Sequence, residues 1–223
     1  MSARDVLVCV SVHPARRPWL AQVTAGLGSF DLSIVAAAPG DDAGPLTKWI
    51  WDHKLKPRHR AVVIIDDDHV YQPKALRHAA MLACSRAPAL VQACARQNLV
   101  VDNPASHGGA YMLHRYVWTV QRTDIVEAFA GVACESAAFV RLRDRLRAVE
   151  PDLGTAERLS DDLIVSREAA HMGFALLVAP VEPPVRLPCA DIEAVSQKGD
   201  GIYPRYKRLL VAETRPWWKG TRP

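Results

Sequence analysis

Val62-Val63-Ile64-Ile65-Asp66-Asp67-Asp68-His69-Val70-Tyr71-Gln72-Pro73 is the stretch on which the reading of the fold turns. Four apolar β-branched residues in an unbroken run make a strand buried on both faces, and three carboxylates stand where that strand ends. Side chains alternate along extended backbone, so Asp66 and Asp68 are expected on one side and Asp67 on the other, a divalent-metal clamp in outline. In an open α/β sheet ligands bind in the crevice beyond the carboxyl ends of the strands, which is where these acids fall. The competing reading is a solvated acidic turn that caps the next helix. Capping accounts for one Asp but not for three.

The rest of the chain bounds what this strand can belong to. Its 223 residues suffice for one substantial core with a small appended lobe, and 49% apolar with 23% charged residues is the balance of a folded globular protein. No apolar run reaches the roughly 18–20 residues of a membrane span. Met1-Ser2-Ala3-Arg4-Asp5 runs straight into a strand without the features of a signal peptide, which predicts a cytoplasmic protein. Cys9, Cys84, Cys94, Cys134 and Cys189 are odd in number, scattered and without a CxxC, so buried thiols are expected rather than disulfides or a zinc knuckle. A net charge of +4 and a pI near 8.9 suit a phosphate-bearing ligand, and equally weak attraction to nucleic acid or an anionic surface.

Outward from the central strand the pattern alternates strand and helix. Val6 to Val10 is a first strand, and Leu20, Val23 and Leu27 mark one face of a helix after a loop carrying Arg16 and Arg17, which is expected to lie in solvent. Leu32 to Ala37 is a second strand, ended by Pro39-Gly40; the Asp41 to Pro45 turn then leads into a helix over 46–54 with Lys48 away from its apolar face. Pro73 opens a helix with Leu76, Ala79, Ala80 and Ala83 at helical spacing. Ala89 to Cys94 is a further strand. Between Arg96 and Gly109 the apolar period breaks at Asn98, Asn103, Pro104, Ser106, His107 and Gly108-Gly109, which reads as a mobile or functional loop. Tyr111, Tyr116 and Trp118 fit the core better than a stacking role. Gly131, in Ala130 to Cys134, would let a ligand approach the backbone, and Phe139, Leu142, Leu146 and Val149 mark a basic helix. Ser160 or Asp161 caps a helix to about His171, where Gly173 stops it, and Phe174 to Val178 returns as a strand before a proline-rich exit. The last segment carries Lys198, Arg205, Lys207 and Arg208 with Tyr203 and Tyr206, and ends on Trp217-Trp218.

Hard oxygen ligands holding magnesium or manganese neutralise a nucleotide diphosphate so that it can leave, and Asp66 and Asp68 can supply such ligands. A hydroxyl acceptor needs a base, which Asp161 or Asp162 can provide; the alternative for this second pair is helix capping. With these elements in hand the chain resembles the GT-A glycosyltransferases, in a form found among small bacterial and viral members. Asp66-Asp67-Asp68 with Val70, Tyr71 and Pro73 is similar to their DxD segment. Gly44-Pro45-Leu46-Thr47-Lys48 resembles their Gly-Pro-x-x-Lys, Gly131-Val132-Ala133 their glycine-containing segment, and Ser160-Asp161-Asp162-Leu163 their acidic pair at a helix start.

The resemblance implies an α/β fold of GT-A type: a mainly parallel central sheet flanked by helices, with a Rossmann-like nucleotide-binding half. It implies metal-dependent transfer of a sugar from a nucleotide-sugar donor to a glycan or other hydroxyl acceptor, with Mn2+ or Mg2+ as cofactor and no nucleic acid as partner. Asp66 and Asp68 would hold the metal, Asp66, Asp67, Lys48 and Gly131 the donor, and Asp162, beside Asp161, would be the base of an inverting reaction. The transferase domain is expected over 1–190, with 191–223 an extension able to act as a lid over the donor site. No histidine follows His171 to complete a metal site. Two other functions fit parts of the pattern. A haloacid-dehalogenase-like phosphatase would use Asp66 as nucleophile, Asp68 as acid/base and the later pair for magnesium, although its DxD normally ends the first strand. A binding module for sugar, nucleotide or nucleic acid without turnover would suit the basic, aromatic C-terminus.

Overall fold

A computed structural model of the protein describes residues 1–36, 44–103, 109–191 and 202–219. Its centre is a seven-stranded sheet formed by β1 (Val6–Val12), β2 (Asp31–Ala36), β3 (Ala61–Ile65), β5 (Ala89–Gln92), β8 (Gln121–Arg122), β9 (Val132–Glu135) and β10 (Ala175–Val178). The strand order is β2-β1-β3-β9-β5-β10-β8. Five strands run the same way; β9, between β3 and β5, and the edge strand β8 run against them. Two small ribbons stand apart from it. One pairs β4 (His69–Val70) with β11 (Val185–Arg186), the other β6 (Arg96–Asn103) with β7 (Gly109–Tyr116). The chain is therefore an α/β protein with a mostly parallel central sheet.

Period-2 alternation divides the sheet's apolar residues between two layers. Leu7, Cys9, Val62, Ile64, Leu90, Val132 and Cys134 lie in one apolar cluster with Trp49 of α2 (Thr47–Ile50), Phe139, Leu142 and Leu146 of α4 (Ser136–Val149), and Leu163 and Ile164 of α6 (Asp161–His171). Val8, Val10, Ala61, Val63, Ile65 and Val91 lie in the other, with Val23 of α1 (Leu20–Thr24) and Leu76, Ala79, Ala80 and Ala83 of α3 (Pro73–Ser85). Because β3 feeds both layers, all five of its residues are buried. The C-terminal residues belong to this core. Tyr206 and Leu210 of α7 (Ile202–Ala212), with Trp217 and Trp218, join the cluster that holds Phe139, and Trp217 Nε1 donates to Asp124 O at 2.8 Å.

Several expectations change. The helix over 46–54 is a 3-10 turn plus the single turn of α2, because the chain becomes extended at Trp51 and His53 folds back to Lys48. The stretch from Arg96 to Gly109 is not a loop but the two arms of a hairpin, with 104–108 outside the described residues. The ribbon is not paired into the main sheet but packs on its core through Val100 and Met112, and two of its buried positions, Gln97 and Asn98, are polar, so no apolar alternation marks its strands and the sequence reads as loop. Tyr116 and Trp118 lie on the surface, Trp118 being 90% exposed, while the side chain of Tyr111 is outside the described residues. Pro39 to Ala43 and Lys198 to Gly201 are also outside them. Among the described residues no helix is long and apolar enough to cross a membrane. Cys9, Cys94, Cys134 and Cys189 are buried, Cys84 is partly so, and all five are free thiols.

Candidate functional site

β3 stops at Ile65, and Asp66, Asp67 and Asp68 lie in the turn that leads to β4. Strand alternation therefore does not carry through the acids. Asp67 and Asp68 both reach one guanidinium, with Arg16 Nη1 donating to Asp67 Oδ1 at 2.8 Å and to Asp68 Oδ2 at 3.1 Å. Asp67 also accepts from His13 N at 2.7 Å on Oδ2, so both its oxygens tie the turn to the loop after β1. Asp68 Oδ1 accepts from His69 Nδ1 at 2.5 Å. Arg16, expected in solvent, is buried here, while Arg17 beside it is exposed.

Asp66 has different partners. Lys48 Nζ lies 2.6 Å from Asp66 Oδ1 and 2.9 Å from Asp161 Oδ2, and Trp49 Nε1 donates to that same Asp161 oxygen at 3.3 Å. One ammonium thus joins the end of β3 to the start of α6. Lys48 is itself fixed by its backbone: His53 Nε2 donates to Lys48 O at 2.8 Å, which leaves His53 Nδ1 to accept from Ser33 Oγ. Burial lowers the His53 pKa and keeps the ring in this neutral form.

Asp162 faces another neighbour. Its Oδ1 accepts from Ala128 N at 2.8 Å, and its Oδ2 is 3.4 Å from the Tyr206 hydroxyl. Arg205 Nε donates to Ser160 Oγ at 3.0 Å, so α7 lies against the start of α6. Arg205 and Tyr206 of the basic C-terminal segment thus lie at Ser160 and Asp162. Tyr71 closes the arrangement: its hydroxyl accepts from Asp66 N at 3.0 Å and donates to Phe129 O at 2.9 Å, which binds the acidic turn to the segment before Gly131.

Gly131 has φ +78°, and a β-carbon on it would stand 2.8 Å from Leu76 Cδ2 and 3.6 Å from both Ile65 and Tyr71. The space that the glycine leaves is filled by protein, not offered to a ligand. A Gly131→Ala protein is expected to lose about 1–3 kcal/mol of stability, from strained φ and the clash with Leu76, measured by urea unfolding.

Carboxylates outnumber cations here, and their ionisation reflects it. Burial raises the Asp66 pKa, with Asp68 and Asp161 adding to the rise and Lys48 opposing it. Burial, then the charge of Asp161, pushes Asp162 well up. Burial also acts to raise Asp68, but the His69 hydrogen bond and the charges of His69 and Arg16 outweigh it and leave the carboxyl low. Lys48 is held in its ammonium form because Asp161 and Asp66 together overcome its burial.

Among the described residues no three His, Cys, Asp or Glu side chains are grouped to hold a metal. The donor chemistry nonetheless fits a hard cation: Asp66 Oδ2 has no hydrogen-bond partner among those residues, and the surplus negative charge would be relieved. Asp68 would have to exchange Arg16 or His69 for such an ion. The remaining ligands would come from water and substrate phosphate, the usual manner for magnesium.

Glu127, absent from the sequence reading, is also part of this region. It is 8% exposed, accepts from Asn98 Nδ2 at 2.8 Å, and has its pKa raised by burial. No family model matches the chain, and no curated protein matches it either.

Proposed function

We propose that the chain is a GT-A type glycosyltransferase that moves a sugar from a nucleotide-sugar to a hydroxyl acceptor, dependent on Mn2+ or Mg2+. The observation that carries this reading is Lys48 Nζ lying between Asp66 and Asp161. Three segments far apart in the sequence, each resembling a motif of that family, meet at the carboxyl end of the central parallel strands. That end of the strands is where an open α/β sheet binds its ligand.

Within this reading Asp66 and Asp68 would hold the metal, which when bound supplies positive charge against the leaving diphosphate. Lys48 keeps Asp66 and Asp161 in place as a buried ion pair. Asp162 is the base. Its Oδ1 is engaged by the Ala128 N–H, so Oδ2, whose contact with Tyr206 is long, takes the proton of the acceptor hydroxyl. Burial among other carboxylates strengthens it for that step, because a raised pKa gives a better proton acceptor once the group is ionised. Asp67, with both oxygens engaged by Arg16 and His13, holds the turn in shape and does not touch the donor.

The test is thermal unfolding with UDP, GDP, CDP and dTDP and the matching nucleotide-sugars, each with and without Mn2+. A Mn2+-dependent rise in Tm with one nucleotide, absent in Asp68→Ala, is expected, since ligand at about 100 Kd stabilises by about 2.7 kcal/mol. No shift with any nucleotide, but one with Mg2+ and beryllium fluoride, would make the protein a phosphatase instead.

A further inference from the structure

The hairpin β6–β7 carries a polar network whose hydrogen bonds can be followed atom by atom. Gln92, fully buried at the end of β5, donates to Arg96 O at 2.6 Å and accepts from Glu127 N at 2.8 Å, which holds the start of β6 beside Glu127. Asn98, also fully buried, donates to Ile125 O at 3.2 Å and Glu127 Oε2 at 2.8 Å, and its Oδ1 is 2.6 Å from His114 Nδ1. An amide oxygen only accepts, so His114 Nδ1 carries the proton and Nε2 can accept from Arg96 Nη2 at 3.2 Å. Arg96 Nε is 3.6 Å from Glu127 Oε2.

One atom of the network remains unused. Glu127 Oε1 has no hydrogen bond among the described residues, although the residue is more than nine-tenths buried. It is not sealed in either, since the sealed side-chain atoms without a partner are Thr47 Oγ1 and Ser136 Oγ. A carboxylate oxygen on a largely buried side chain, open at one side and given no protein donor, is placed to accept from a ligand donor.

The surroundings indicate which donor. The Arg96 guanidinium lies over the Phe129 ring, 5.6 Å from its centre, and that ring is 5.5 Å from the imidazole of His69, which holds Asp68. The network therefore borders the acidic turn. Arg96 pairs with Tyr116 and Asn98 with His114 across the ribbon, so these four side chains share one face, with the 68% exposed Tyr116 at the base of the ribbon. A carboxylate acceptor beside a guanidinium donor, with the exposed Tyr116 ring next to Arg96 across the ribbon, matches a sugar ring, which offers hydroxyls at its edge and C–H bonds on its face. Phosphate would be repelled by Glu127.

We propose that Glu127 Oε1 and Arg96 form a subsite for the hydroxyls of a sugar ring, with Tyr116 next to Arg96 across the ribbon. Whether the ring is that of the donor or of the acceptor, the chemistry is the same. The inference deepens the transferase reading and rests on it for the sugar's role, not for its binding.

Two measurements test it on the full chain and on Glu127→Gln, which keeps an oxygen for Asn98 but puts an N–H2 at the free position, or the reverse. Saturation-transfer NMR with the methyl glycosides of glucose, galactose, mannose and N-acetylglucosamine reads the ring alone. Titration of each nucleotide-sugar against its nucleoside diphosphate reads what the ring adds. We expect Glu127→Gln to weaken sugar binding about 10- to 100-fold, the scale of a hydrogen bond to a charged group, while the diphosphate alone binds as before. Loss confined to the nucleotide-sugar assigns the donor ring, and loss confined to a methyl glycoside the acceptor. Glycoside binding lost in the variant, with no nucleotide bound by either protein, would keep the subsite and remove the transferase. If Glu127→Gln does not fold, Arg96→Gln, at a part-exposed residue, is read in the same way. No carbohydrate signal with the native protein, or one unchanged in the variants, overturns the proposal.

Discussion

Replacing Lys48 by methionine is expected to remove about 3–5 kcal/mol of stability at pH 7, the cost of leaving buried charges without their partner. The side chain is 6% exposed, and it lies between two carboxylates that would then face each other with nothing between them. The sign of the pH dependence follows. The Lys48 pKa is raised in the fold, so its own deprotonation takes nothing from its contribution below the unfolded lysine value of about 10.4, and at low pH only protonation of its carboxylate partners does. In Lys48→Met the uncompensated carboxylates bind protons more tightly folded than unfolded. The deficit therefore shrinks as pH falls toward about 4, where the unfolded chain also takes up those protons. Urea unfolding across that range measures it, and Asp66→Asn added to Lys48→Met should restore part of the loss. A deficit below about 0.5 kcal/mol, or one flat with pH, would mean that the ammonium does not balance these acids.

Asp162→Asn is expected to separate chemistry from binding. Transfer to the acceptor should fall about 10²- to 10⁴-fold with loss of the base, while nucleoside diphosphate and Mn2+ bind as before. The variant should also be more stable than the native protein at neutral pH. Asp162 has a raised pKa, so its carboxylate opposes folding increasingly as pH rises from the ordinary value of about 4 to its own, and fully beyond. Asparagine carries no such charge, so the gain is present near pH 7 and absent near pH 4. Nucleotide binding lost together with turnover would remove the base role. Turnover kept intact would transfer that role to another carboxylate, Glu127 being the nearest in character.

How far the sequence carried depended on whether a signal was local. The Val62 to Ile65 run and the small-residue face of α3 could be read because period and composition lie within one element, and both are found as expected. The alternation of the three acids was not transferable, since it assumes extended backbone and the chain turns at Asp67. Arg16 and Arg17 form an indistinguishable pair in the sequence; only the fold, by setting the loop after β1 against the acidic turn, buries the first and exposes the second. Glu127 was invisible because a single acid between Val126 and Ala128 has no pattern, and its importance arises from Asn98, 29 positions away. Tyr116 and Trp118 were misplaced because burial was inferred from residue type, whereas the base of the ribbon and the turn after it expose them.

The position of β9 has a consequence for how the chain is made. β3 is complete at Ile65, but the neighbour on its second side begins only at Val132. Roughly 70 residues must be synthesised between the two, which takes about 4–14 s at about 5–20 residues per second. During that interval a strand of five apolar residues keeps one edge open, the kind of edge that pairs readily with other chains. A nascent chain that stalls in this interval thus offers its most apolar strand to whatever is near, and the demand for a chaperone should fall once Glu135 has left the ribosome.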